Sequence, residues 1–399
     1  MFISNTHPDY NTPLEAADVE TLGPVATDRV ERVLARRENH TPTPLHALPA
    51  LARELGLGAI QVKDESVRLG LGSFKALGGA YAVIVLVLQE AAKRLSRPVD
   101  VAELHTPDVR SIAAGMTFAC ATDGNHGRSV AQGTKFVGAK SVIFVHSGVS
   151  EERIAAIAQF GAEMVRVDGN YDDSVVEAAR VATDKGWEIV SDTSWPGYER
   201  IPGLVMQGYT VMVREALAQM GRPPTHVFVQ SGVGGVAAAV AGHLAVLLGN
   251  ERPIFIVVDP ARAACLYESA KANKPVKIAH GEPTVMAMLE CYEPSLVAWR
   301  ILSHVADGFM IVDEEDAIAV MRRLARPAGR DPAIVAGESG GVGLAGLIKA
   351  CKTRELCDKL GLGTAARVWV INTEGATDAA RYQALVGLSP AEVLARRAR

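Results

Sequence analysis

Hydrophobic positions along this chain follow two periods in turn. Short apolar runs rich in β-branched residues recur at Ala59-Ile60-Gln61-Val62-Lys63, Thr117-Phe118-Ala119-Cys120, Ser141-Val142-Ile143-Phe144-Val145, Glu163-Met164-Val165-Arg166-Val167 and Glu188-Ile189-Val190. Longer stretches with a helical period separate the later ones, at Gly127 to Val137, Glu151 to Phe160 and Asp172 to Lys185. Short runs of this kind predict buried strands, and the longer ones predict helices. Strand alternating with helix through short loops predicts a parallel sheet covered by helices.

A proline-bearing stretch from Trp195 to Pro202 breaks the series, and a helix is expected from Leu204 to Met220. The pattern then restarts with a strand at 226–230, a helix at 234–248, a strand at 254–258 and a helix at 260–272. Residues 275–310 look irregular; helices at Glu314 to Leu324 and around 341–350 precede a last strand, Arg367 to Ile371. Upstream, Phe74 to Leu95 reads as one long helix opened by the turn Gly70-Leu71-Gly72-Ser73. The first 45 residues hold one helix-like piece, Ala26 to Arg37, and an extended entry at Thr41-Pro42-Thr43-Pro44-Leu45, since residues before proline avoid the helical region. Two open α/β sheets accommodate this order better than one very wide sheet.

Composition narrows the class. A chain of 399 residues, 48% hydrophobic and 22% charged, buries a sizeable core, which excludes disorder for most of it. The formal net charge of -4 and the absence of a basic block argue against nucleic acid as a partner. The longest apolar stretch, Ala76 to Leu88, falls short of the roughly 20 residues of a membrane span, and the N-terminus lacks a signal-peptide pattern. A soluble cytoplasmic protein is the expectation. Five cysteines with no C-x-x-C spacing do not suggest a zinc ribbon or a disulfide scaffold, although Cys265 and Cys291 could pair. With no H-E-x-x-H and no compact His/carboxylate set, no metal is expected, and no G-x-S-x-G is present.

The candidate chemistry sits at strand ends. Gly232-Val233-Gly234-Gly235-Val236-Ala237 follows the strand at 226–230 and opens a helix. Such a turn offers backbone N–H groups to a phosphate. Asp259 ends the next strand, so an NAD-dependent dehydrogenase stays open as a remote alternative. A second match, Gly341 to Gly346, reads as helix packing. Lys75, at the start of its helix, has a reason to be neutral because the helix dipole is positive there, and a neutral amine can form a Schiff base. Thr122-Asp123-Gly124-Asn125-His126-Gly127, Asp192 and Thr373-Glu374-Gly375 close three other strands.

Together these segments resemble the fold-type II pyridoxal-phosphate enzymes of the tryptophan synthase β/threonine dehydratase superfamily. Ser73-Phe74-Lys75 is similar to its Schiff-base lysine motif, Gly124-Asn125-His126 to its Gly-Asn-His loop, and Gly232 to Gly235 to its phosphate cup. Further segments resemble the diaminopropionate ammonia-lyase family: Lys63-Asp64-Glu65-Ser66, Leu77 to Ala82, Asp123 ahead of the loop, Asn170-Tyr171-Asp172-Asp173, Asp192 to Tyr198, Met206-Gln207-Gly208-Tyr209 and Gly337-Glu338-Ser339-Gly340. The resemblance spans roughly residues 40 to 385. Gly72-Ser73 ahead of Phe74-Lys75 is instead as in serine/threonine dehydratases, so a serine/threonine or hydroxyaspartate dehydratase is the alternative.

The resemblance implies two mainly parallel sheet domains with pyridoxal 5'-phosphate in the cleft between them. Residues 1–88 and 213–399 would form the large domain and residues 89–212 the small one. It implies elimination from D- or L-2,3-diaminopropionate, a small amino-acid substrate, by a cytoplasmic homodimer. Lys75, Asp123 and Asp192 would be catalytic. Lys75, Phe74, Asn125, Gly232, Val233, Gly234, Gly235, Glu338 and Thr373 would hold the cofactor. Ser73, Thr122, Asp123, His126, Tyr171 and Asp192 would meet the substrate.

Overall fold

A computed structural model describes residues 1–397 apart from residues 39, 123 and 170. Its strands are β1 (Phe2–Ser4), β2 (Leu45–Ala47), β3 (Ala59–Asp64), β4 (Thr117–Ala121), β5 (Lys140–His146), β6 (Glu163–Val167), β7 (Glu188–Ile189), β8 (His226–Gln230), β9 (Ile254–Pro260), β10 (Gly308–Val312) and β11 (Arg367–Asn372). They form two sheets. The order β1-β10-β9-β8-β11-β3-β2 gives a seven-stranded sheet, and β6-β5-β4-β7 a four-stranded one. The four-stranded sheet is wholly parallel. The large sheet is parallel except at its edges, where β1 runs against β10 and β2 against β3. β8, β10 and nearly all of β9 and β11 are buried, as strands with helices on both faces must be.

Chain order reverses beside β8. From β8 the chain proceeds to β9 on one side, while β11 pairs with it on the other. Such a reversal leaves a crevice at the carboxyl ends of the strands, where open α/β sheets take ligands. The long helix Lys75–Leu95 packs against helices Asn125–Val137 and Arg200–Gln219. It is long and apolar enough to cross a membrane by length and composition, yet 67% of its most apolar window is buried inside the fold. Leu77, Val83, Ile84 and Val87 are fully buried, and each such side chain contributes about 1.5–3 kcal/mol of burial free energy.

Several local expectations change. The first 45 residues carry two helices, Ala16–Leu22 and Pro24–Leu34, and the edge strand β1. The irregular stretch 275–310 holds helix Leu296–Val305 and the start of β10. The helix after the proline-bearing stretch starts earlier, as Arg200–Gln219, because Pro202 falls in its first turn, where no intrahelical N–H is needed. The helix expected at 260–272 starts at Cys265. Cys265 and Cys291 are not joined by a disulfide, and none of the other three cysteines is in one.

The Lys63-Asp64-Glu65-Ser66 segment contributes to a buried charge cluster. Lys63 Nζ donates to Glu215 at 2.8 Å, and Arg68 donates to Glu65 at 2.8 Å and to Glu215 at 2.6 Å. Burial lowers the Lys63 amine and Glu215 opposes that shift. The cluster ties β3 to helix Arg200–Gln219. The second glycine match packs as expected. Helix Val342–Lys352 lies over the large sheet, with Gly343 against the Phe228 carbonyl and Gly346 against Val258.

Candidate active site

A pocket opens where the carboxyl ends of β4, β8 and β11 meet the start of helix Lys75–Leu95. Lys75, the first residue of that helix, reaches the Asp192 carboxylate and makes an ion pair with it. Burial pushes the Lys75 amine down, and Asp192 more than reverses this, holding it above the usual lysine value. The expectation of a neutral lysine is therefore corrected: the helix dipole is outweighed by one close carboxylate. Burial likewise pushes Asp192 up, and the Lys75 charge, aided by His126, holds it well below the usual carboxylate range.

The turn that carries Asp192 is built by its neighbours. Tyr198 Oη donates to the Ile189 carbonyl at 2.7 Å and accepts from the Ser191 amide at 3.0 Å. The Tyr198 ring stacks on Trp195 with centroids 4.2 Å apart. Ser194 ties the turn to Ser295 at 2.7 Å. His126 Nε2 lies 2.8 Å from the Val190 carbonyl, which can only accept, so that nitrogen carries the proton. Burial lowers the His126 pKa. Its Nδ1 faces Asp192 at 4.0 Å.

Thr122 shapes the loop after β4. Its hydroxyl accepts from the Gly124 and Gly127 amides, both at 3.1 Å. Asn125 opens the following helix and donates through Nδ2 to Glu374 Oε2 at 2.7 Å. Asp123 and Asn170, both expected from the sequence to matter, lie outside the described residues.

The glycine turn after β8 leads into helix Gly235–Leu248, whose N-terminus has no side-chain cap. Its first amides are therefore available to an anion, and the helix dipole favours one there. Gly234 holds φ +105°, and a Cβ on it would come within 2.9 Å of Ala298 Cβ. Gly234→Ala is thus expected to cost about 1–3 kcal/mol of stability from strain and overpacking, read by denaturant unfolding. An unchanged midpoint would count against a strained turn.

Thr373 follows β11, and its backbone carbonyl accepts from the Phe74 amide at 3.0 Å. Gln230 Nε2 donates to Thr373 Oγ1 at 2.7 Å, leaving the threonine proton free to donate elsewhere. These residues fit a phosphorylated aromatic aldehyde: an uncapped glycine cradle for the phosphate, an amine for the aldehyde and a hydroxyl donor for a ring nitrogen.

The pocket brings together Phe74, Lys75, Thr122, Asn125, His126, Tyr171, Asp192, Gly232 to Gly235 and Thr373. Ser73 and Glu338 are buried just behind its lining. Gln230, Tyr209 and Glu374 line it as well; Tyr209 and Glu374 stood in segments quoted from the sequence, but none of the three was given a role there. Gln230 had a signal, a polar residue closing a strand whose three central residues are apolar. Asp259 is buried, and its Oδ2 accepts from the Tyr267 amide at 2.8 Å, capping the next helix rather than facing a ribose site. A wider groove of about 690 Å³ beside Tyr81 and Gln207 is a separate feature, and its Tyr81 hydroxyl is bonded to Gln207 at 2.5 Å.

Comparison with known proteins agrees with this geometry. The family model described as pyridoxal-phosphate dependent enzyme matches residues 37–374. The diaminopropionate ammonia-lyase of Escherichia coli K12 is 41% identical over 355 residues, covering 87% of each chain. A crystal structure of the Escherichia coli enzyme, in complex with an aminoacrylate-PLP azomethine reaction intermediate, superposes with a TM-score of 0.86 at 37% identity, covering 97% of this chain and 96% of that one. Another, in complex with D-serine, gives a TM-score of 0.86 at 36% identity over the same shares of the two chains. The chain belongs to the pyridoxal-phosphate-dependent enzymes of fold type II and, among them, to the diaminopropionate ammonia-lyase family.

Proposed function

We propose that this chain eliminates ammonia from 2,3-diaminopropionate, which with one water gives pyruvate and two ammonia. The observation that carries the reading is the Lys75–Asp192 pair at the glycine cradle. A carboxylate placed beside the Schiff-base nitrogen suits a substrate that brings its own β-ammonium group.

Bound pyridoxal phosphate supplies an electron sink for charge developing at the substrate Cα. The chain's residues do the rest. Lys75 holds the cofactor, with Phe74 beside it. Amides from Gly232 through Gly235, Val233 included, bind the phosphate. Thr373 donates to the ring nitrogen, and a hydroxyl there does not force full ring protonation. Asn125 donates to the phenolic oxygen. The loop from Thr122 to His126, with Ser73 and Tyr171 nearby, receives the substrate carboxylate. Asp192 takes the Cα proton of the L-isomer, and Asp123 that of the D-isomer. The D-serine complex of the Escherichia coli relative supports a site open to D-amino acids.

The same reading carries a domain division at 1–88 with 213–399 and at 89–212, supported by the strands of the large sheet flanking those of the small one. It also carries a cytoplasmic homodimer. The test is a substrate panel read by 2-oxo acid release: both diaminopropionate isomers should exceed serine and threonine by orders of magnitude. The opposite ranking would replace this reading with a dehydratase.

A further inference from the structure

Behind Asn125 lie two buried carboxyl groups from different turns. Glu338 and Glu374 are exposed by only 1% and 2%. Glu374 Oε2 accepts from Asn125, while Glu374 Oε1 and Glu338 Oε1 have no hydrogen-bond partner among the described residues. The two turns are bonded to each other, with the Gly337 amide donating to the Glu374 carbonyl at 3.0 Å. A Cβ at Gly337 would sit 3.3 Å from Glu374 Oε1.

Two adjacent buried carboxylates cannot both ionise cheaply, and two acceptors cannot satisfy each other. One proton resolves both problems. We propose that Glu338 and Glu374 form a carboxyl pair with one proton, carried by Glu374 and donated to Glu338, and that this pair positions the Asn125 amide at the cofactor site. Both cations that face the pair lie against Glu338 Oε1, so they offset charge on Glu338 and leave Glu374 as the carrier of the proton. Arg153, from helix Glu151–Ala158, is 4.0 Å from Glu338, and Arg381, from helix Ala379–Val386, is 3.6 Å away. Lys75, His126 and Asp192 share the pocket, but the Lys75 charge is committed to Asp192. Burial, reinforced by Glu338, pushes Glu374 up to about 8, and Asn125 and the Arg153 charge oppose the shift without cancelling it. A neutral Glu374 keeps an uncompensated negative charge away from Asn125.

The pair belongs to the chain itself, so infrared difference spectroscopy tests it without cofactor or substrate. The wild type should show a protonated carboxyl band that bleaches as pH rises through about 8. Asp259, also pushed up to about 8 by burial, contributes a band of its own, so subtraction of variant spectra makes the assignment. Glu374→Gln keeps both hydrogen bonds, because its amide nitrogen can donate to Glu338, and should lose one carboxyl band. Glu338→Gln should move the Glu374 midpoint down by about one pH unit or more. Cofactor affinity supplies the second readout. In the wild type it should weaken by up to about tenfold per pH unit above the midpoint, and in Glu374→Gln it should lose that dependence. A wild-type spectrum with the Asp259 band alone, or a Glu374 band that neither variant alters, overturns the pair. An alkaline loss of affinity identical in wild type and Glu374→Gln overturns the positioning of Asn125.

Discussion

Lys75→Ala is expected to lower turnover of diaminopropionate by at least about 10³-fold, with no reducible attachment of cofactor to the chain. Borohydride treatment of the wild type, followed by peptide mass spectrometry, should place the reduced cofactor on the peptide containing Lys75 and nowhere else. The structure gives the reason for so large an effect. Lys75 is the amine that the pocket sets beside the uncapped helix Gly235–Leu248, and its position is fixed by the Asp192 pair and by the adjacent Phe74, whose amide is bound to the Thr373 carbonyl. Alanine removes the nucleophile and the counter-charge of Asp192 together. Burial, now unopposed by a cation of comparable strength, then raises the Asp192 pKa, so the variant should take up a proton that the wild type refuses. Trapped cofactor on another lysine, or substantial turnover by the variant, would remove Lys75 from the reaction.

What was legible beforehand divides along physical lines. β4, β5, β6 and β8 carry apolar runs bounded by turns, and their period alone placed them within a residue or two. β1 and β2 did not show, because three-residue edge strands owe their structure to the sheet they join rather than to a local pattern. Helix Leu296–Val305 hid in a proline-rich stretch whose order comes from packing on helix Gly235–Leu248. In the pocket, glycines and strand-end polar residues were readable because a cradle needs bare backbone at fixed spacing. Lys75 and Asp192 are 117 residues apart, and no local pattern could show that they touch. Their contact reversed the expected charge of the lysine. Glu374 was visible at its strand end but was given no role for the same reason: its partners, Asn125 and Glu338, come from other turns.

Asp192→Asn should separate the two substrate isomers. The expected result is a kcat for the L-isomer lower by about 10²–10⁴-fold, the range for a lost general base, with a smaller loss for the D-isomer. Asparagine keeps the shape of the turn, which rests on Tyr198, Trp195 and Ser194 rather than on the carboxylate. It removes the negative charge. In the cofactor-free site Asp192 is a weak base, because the Lys75 cation holds its pKa low. Once that cation is lost, burial is the larger influence, and the carboxylate becomes a stronger base where a Cα proton must be taken. The same substitution leaves the Lys75 amine without its main stabiliser, so burial should lower its pKa and shift any limb of the pH profile that reports the ammonium toward acid. Steady-state kinetics on both isomers across pH, with the cofactor spectrum as a check on occupancy, measures all three effects. Equal losses for the two isomers would assign Asp192 to holding Lys75 alone. An unaffected L-isomer would show that the proton is taken elsewhere.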